Sequence, residues 1–192
     1  MLYLTRRLIM KIAIDIDDTL TNTRENQLKL WKEFVKNNPN PNYSEELPHN
    51  INEFDAGEYI DEFWKINRYH LSFESTYKQD ASQIIDKLKE DGHELCIVTS
   101  RPDSGYDDLK GRIEKGLKAN EIHIDTIYTD ARDKGTYCKE HNFDLLIDDN
   151  IRQIESAKSH GIQAILFNEL KSYNGLQTTT WKELYNIIKE LQ

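Results

Sequence analysis

The sequence predicts an α/β fold in three layers, a parallel sheet covered by helices on both faces, with a small helical insertion between the first two strands. Two observations carry this. Short apolar runs recur along the chain with helical patterns between the later ones, the rhythm of strand and crossover helix in a parallel sheet. Only the interval after the first run breaks the rhythm, because about sixty residues is far more than a crossover needs. A third observation concerns function: polar residues gather where the apolar runs stop.

The first run is KIAIDI, residues 11–16. Met10 stands directly before it, so residues 1–9 read as a leader or a displaced start. Their longest apolar run is three residues and no small-residue cleavage site follows, so neither a signal peptide nor a membrane span is expected. Next comes the insertion, residues 21–80. Helical patterns at 25–37 and 56–69 flank a turn-rich connector, PNPNYSEELPHN, with prolines at 39, 41 and 48. More than half of the chain's aromatic residues fall in this insertion. Packing the core of a small subdomain accounts for most of them. Trp31, Phe34 and Trp64 are the candidates for an aromatic wall against which a base would lie.

Helical patterns at 81–91, 106–119, 133–141 and 151–160 alternate with the remaining runs, ELCIVTS (94–100), IDTIYTD (124–130), FDLLIDD (143–149) and IQAILF (162–167). Their Ile, Val, Leu and Phe content suits strands buried on both faces. Gly92 and Gly161 follow helical runs, as helix-ending glycines do. An amphipathic pattern at 180–191 closes the chain. The domain division expected from this is a core of residues 1–20 and 81–192 and an inserted cap of residues 21–80.

Composition bounds the function. With 192 residues the chain can bury a sizeable core without staples. Cys96 and Cys138 lie far apart without paired spacing, so they read as small core residues in a reducing cytoplasm, not as a disulfide or a thiolate zinc site. A net charge of -9 argues against a polynucleotide partner, whose backbone requires clustered Lys and Arg. The histidines show no ligand spacing.

In open parallel sheets ligands bind beyond the carboxyl ends of the strands, where strand order reverses. The first strand delivers Asp15, Asp17, Asp18 and Thr19 to that edge, the second Thr99, Ser100 and Arg101, and the fourth Asp148, Asp149 and Asn150; Lys134 opens the helix before the fourth. Crowded carboxylates repel unless a cation sits among them. Asp15 and Asp17, two apart on extended backbone, face the same side, so one can attack while the other manages a proton. Asp15 with Asp148 or Asp149 supplies hard oxygen ligands suited to magnesium. Thr99 and Lys134 can hold phosphoryl oxygens. Ser100 and Arg101 join these phosphate-binding candidates, with Arg101 equally able to pair with a neighbouring acid.

In order, DIDDTL, the strand ending in Thr99, Lys134 and LLIDDN resemble the four motifs of the haloacid dehalogenase-like (HAD) hydrolase superfamily, over about Lys11 to Phe167. The resemblance implies a Rossmann-like core with the insertion as a helical cap that closes and excludes water during reaction. It implies Asp15 as the nucleophile forming an aspartyl phosphate, and Asp17 as general acid and then base, its backbone carbonyl also reaching Mg2+. Thr99 and Lys134 would bind the phosphoryl group. Asp148 would ligate the metal, with Asp149 assisting directly or through water. An acid at position 17 favours phosphatase over dehalogenase or ATPase chemistry. Within the superfamily, TSR after the second strand, IDDN and the cap are similar to the 5'(3')-deoxyribonucleotidase-like, type C 5'-nucleotidase group, although Asp18 stands where that group often has Gly. The function expected is a Mg2+-dependent nucleotidase acting on (deoxy)nucleoside monophosphates in the cytoplasm. Alternatives are a HAD-type phosphatase of another small phosphorylated metabolite and a catalytically silent binding module. Two-component receiver domains share the residue types but not the order, and an acidic-site nuclease of the PIN type would not need Asp17 as a proton shuttle.

Overall fold

The computed structural model describes residues 8–46, 58–170 and 172–191. The leader expected at residues 1–9 lies outside them up to residue 7, as do Pro48, His49, Phe54 and the first two positions of the helix expected at 56–69. The described residues divide into two compact units, one within Met1–Leu20 and Tyr77–Gln192, the other within Thr21–Thr76.

In the first unit, β1 (Lys11–Ile14), β2 (Glu94–Val98), β3 (Thr126–Tyr128), β4 (Leu145–Asp148) and β5 (Gln163–Leu166) form one parallel sheet in the order β3-β2-β1-β4-β5. Helices α3 (Ala81–Glu90), α4 (Leu109–Ala119), α5 (Lys134–Glu140), α6 (Ile151–Ser159) and α7 (Trp181–Glu190) complete this unit. Strands run shorter than the apolar stretches that foretold them, and β1 and β2 leave the ladder where the polar residues begin. Side chains alternate between faces along each strand. Ala13, Cys96, Val98, Leu146, Ala164 and Leu166 pack with Cys138, Ile154 and Ala157 of α5 and α6 in one apolar layer. Burial pushes both cysteine thiols up to about 12, which makes them inert packing residues. Gly92 and Gly161 have φ of 95° and 77°, the left-handed geometry that ends α3 and α6. His93 is buried and its Nδ1 accepts the backbone N–H of Met10 at 3.1 Å, a structural use of a histidine.

The connection from β3 to β4 carries the chain across β1, so strand order reverses between β1 and β4. Register then does the positioning. Ile14 pairs with Ile147, which makes Asp15 and Asp148 neighbours one step further along, and the Asp15 N–H donates to the Ile147 carbonyl at 3.0 Å.

In the second unit, α1 (Thr23–Asn37) and α2 (Glu58–Phe73) pack through an aromatic core. Trp31 is fully buried, with Phe63, Tyr59 and Tyr43 presenting ring edges to it at centroid distances of 5.3, 5.9 and 6.1 Å. Its indole N–H donates to the Ser44 carbonyl at 2.9 Å. Phe34 is buried in the same cluster, so neither Trp31 nor Phe34 can offer a face to a ligand; the expectation that they form a base-stacking wall is corrected here. Trp64 is partly buried and packs on Phe63.

Candidate active site

β1 delivers Asp15, 5% exposed, to the carboxyl edge, and β4 delivers Asp148, 1% exposed. Between them stands the ammonium of Lys134, 3% exposed, which donates to Asp148 Oδ2 at 2.5 Å and to Asp15 Oδ1. Charges this deep persist only when paired. Local sequence explains why Lys134 arrives there. Asp133 caps α5, accepting from the N–H groups of Gly135 and Thr136 and from the Ser156 hydroxyl at 2.5 Å. Gln153 of α6 accepts the Lys134 N–H at 2.9 Å and donates to the Arg132 carbonyl. Gly135 lets α5 and α6 touch: a Cβ there would lie 2.6 Å from the Ala157 nitrogen and closer still to the Ser156 carbonyl carbon.

One ammonium does not balance the acids. Oxygens of Asp15, Asp148 and Asp149 lie within 4.8 Å of one another. Burial raises the Asp15 carboxyl to about 7; Lys134 pulls it down, while Asp148 and Asp17 push it up further. Burial likewise raises Asp149 to about 8, with Asp15, Asp148 and Asp18 adding to the effect. For Lys134, burial opposes the charge but Asp15 and Asp148 more than offset it and hold the ammonium above its usual range. Three carboxylates against one ammonium leave a formal excess of two negative charges, the charge of one divalent cation. Carboxylate oxygens are the hard donors that magnesium takes. The donor set therefore fits Mg2+.

Asp17 lies beside this cluster and meets Arg101, whose Nε and Nη2 donate to the two carboxylate oxygens at 2.9 and 2.7 Å. Asp18 follows with φ of 58°, a left-handed backbone that Asp tolerates better than most residues. Thr99 is 1% exposed; its hydroxyl accepts the Arg101 N–H at 3.3 Å, and its carbonyl accepts the Ala131 N–H. Ser100 is exposed and its hydroxyl donates to the Ala131 carbonyl at 3.0 Å. The structure thus gathers Asp15, Lys134, Asp148 and Asp149 around one point, joins Asp17 to Arg101, and turns Ser100 into the loop that follows β3.

Sequence reasoning missed the supports. Gln153 and Ser156 gave no signal, being two polar residues on an amphipathic helix. Trp181 of α7, which donates to the Thr19 carbonyl at 3.2 Å, looked like ordinary core. Asp133 was readable as a cap directly before a helix.

No protein-family model matches the chain. A Bacillus cereus protein described as "Putative nucleotidase" is 24% identical over 94% of this chain and 99% of its own length. Among solved structures, a haloacid dehalogenase-like family hydrolase from Streptococcus pneumoniae superposes with a TM-score of 0.66 at 17% identity, covering 93% of this chain and 98% of that one. A Bacillus subtilis "putative HAD-hydrolase", solved bound to magnesium, gives 0.65 at 14% identity, covering 94% and 99%. The fold is that of the HAD-like hydrolases, over nearly the whole chain. Among the described residues no helix is long and apolar enough to cross a membrane.

Proposed function

We propose that this chain is a magnesium-dependent phosphomonoester hydrolase, with Asp15 as nucleophile, and that its substrates are nucleoside monophosphates. The observation that carries the proposal is the buried Asp15–Lys134–Asp148 cluster at the strand-order reversal, with a second acid, Asp17, two residues from the first. Asp15 attacks phosphorus while the bond to the leaving oxygen breaks, and Asp17 gives that oxygen a proton. Asp17 then takes a proton from water as the water attacks the phosphorus of the aspartyl phosphate, releasing phosphate and restoring Asp15. Lys134 and Thr99 hold the equatorial oxygens, where charge accumulates. Asp15, Asp148 and Asp149, together with the Asp17 carbonyl, would hold Mg2+, which when bound would neutralise the acids and the incoming phosphate.

The nucleotide assignment is supported by the Bacillus cereus relative and by TSR and IDDN in this sequence. The test is phosphate release from deoxy- and ribonucleoside monophosphates and from sugar phosphates, with magnesium or EDTA. The expected result is magnesium-dependent release that is fastest from the nucleotides. Preference for a sugar phosphate would overturn the nucleotidase assignment alone; no release from any ester would overturn the phosphatase reading.

A further inference from the structure

At two places in the sequence an acid or amide side chain directly precedes glycine, Asp91–Gly92 and Asn174–Gly175. Such a pair can react with itself, because no side chain shields the glycine nitrogen and the bond it would form to the neighbouring Cγ closes an unstrained five-membered ring. The two pairs differ in what holds them. At Asp91–Gly92 both reacting groups are engaged: the Gly92 N–H donates to the Lys89 carbonyl at 2.9 Å, and Asp91 Oδ2 accepts from the Tyr185 hydroxyl at 2.8 Å. Asn174 and Gly175 are exposed in the loop after β5, and among the described residues neither the Asn174 amide nor the Gly175 N–H makes a hydrogen bond.

The loop also fixes the glycine. A Cβ at position 175 would lie 2.2 Å from the Tyr173 hydroxyl and 2.3 Å from its ring carbon Cζ, and Tyr173 is packed against the apolar layer of β5 and α6. The residue that leaves the asparagine open to attack is therefore one the fold cannot replace. On both sides of the pair the chain is pinned. Gln177 accepts the Leu170 N–H at 2.9 Å and donates to the Tyr173 carbonyl at 3.1 Å. The Leu176 carbonyl accepts the Leu166 N–H and the Thr178 N–H donates to the Leu166 carbonyl, both at 2.9 Å, which covers the outer edge of β5.

We propose that Asn174 is a modification site, converting spontaneously through a succinimide to aspartyl and isoaspartyl links. The Gly175 nitrogen gives up its proton and bonds to Asn174 Cγ, and that carbon releases ammonia. Water then adds to one of the two ring carbonyls and breaks its bond to the nitrogen. Opening at Cγ leaves an ordinary aspartyl link. Opening at the main-chain carbonyl leaves an isoaspartyl link, in which the backbone runs through Cβ and Cγ and is one methylene longer. Both products add a negative charge. The longer one falls between the pins at Tyr173 and Leu176, and so loosens residues 176–178 from β5. This chemistry is independent of the phosphatase reading.

The test ages the purified full chain in mildly alkaline buffer and follows each asparagine by tryptic digestion and mass spectrometry, Asn174 falling in the peptide 172–182. The expected result is loss of Asn174 at least about fivefold faster than of any other asparagine, the factor that first breaking one hydrogen bond would impose. Asn174→Gln, whose ring would need one more carbon, should keep both its fold and its mass over the same period. Hydrogen exchange at Leu166 and Thr178 should quicken in the isoaspartyl fraction but not in Asn174→Asp, which carries the charge without the longer backbone. Asn174 outlasting other asparagines, or reacting about tenfold or more slowly in the folded chain than in the urea-unfolded one, would overturn the site, because the loop would then protect it. Isoaspartate forming as fast at Asp91 would overturn the part assigned to hydrogen bonding. Unchanged exchange in the isoaspartyl fraction would overturn the loosening of β5.

Discussion

Buried charge and buried aromatic surface are segregated in this molecule. Asp15, Arg101, Lys134 and Asp148, the buried Asp, Arg and Lys side chains among the described residues, all belong to the sheet-containing unit and gather beyond the ends of β1, β2 and β4. Among its described residues, the unit formed by Thr21–Thr76 buries Trp31, Phe34, Ile60, Phe63 and Leu71 and, for polar groups, only neutral ones such as Gln27 and Asn67. The physical costs differ in kind. Aromatic burial stabilises, whereas taking charges out of water costs several kcal/mol per ion even when they are paired. A structure that keeps such charges together is spending stability on something other than folding, and here the two regions can be broken separately.

Asp17→Asn should slow turnover of a nucleoside monophosphate by about 10²- to 10⁴-fold with the fold intact, the range assigned to a lost proton donor. Initial rates beside a melting curve check this; a variant nearly as fast as wild type would remove Asp17 from the chemistry. Trp31→Ala is the counterpart in the aromatic unit and should cost about 3–5 kcal/mol of that unit's stability, the usual penalty for emptying a Trp site. Denaturant unfolding followed by amide exchange in α1 and α2 would locate the loss. Lys134→Ala leaves Asp15 and Asp148 facing each other without their shared cation. It should destabilise the sheet unit by about 3 kcal/mol in EDTA, and added Mg2+ should recover more stability than it adds to wild type. Gly135→Ala forces α5 off α6, for about 1–3 kcal/mol, measured by the same unfolding curve. Asp133→Ala removes the α5 cap and should cost about 1 kcal/mol, the smallest of these effects.

How much of this was legible in the sequence divides along the same line. β1 and β4 could be read as apolar runs, and the acids at their ends followed from where the runs stop, so Asp15 and Asp148 were placed by one-dimensional pattern plus the rule for open sheets. Lys134 was legible as a helix-opening residue. The partner of Arg101 was not, because its contact with Asp17 spans 84 residues and a guanidinium serves phosphate and carboxylate by the same fork. Trp181 and Thr19, 162 residues apart, met for the same unreadable reason. In the inserted helices, aromatic spacing suits a core and a stacking wall alike. Only burial separates the two, and it assigns Trp31 and Phe34 to the core.

The central claim is that Asp15 is the nucleophile. Phosphate release from a nucleoside monophosphate by wild type and Asp15→Asn, each with Mg2+ and with EDTA and each checked for a native melting transition, tests it directly. The account predicts release by wild type in Mg2+ alone, and a loss of at least about 10³-fold in a folded Asp15→Asn protein. A folded Asp15→Asn variant that kept a substantial fraction of wild-type turnover would contradict it.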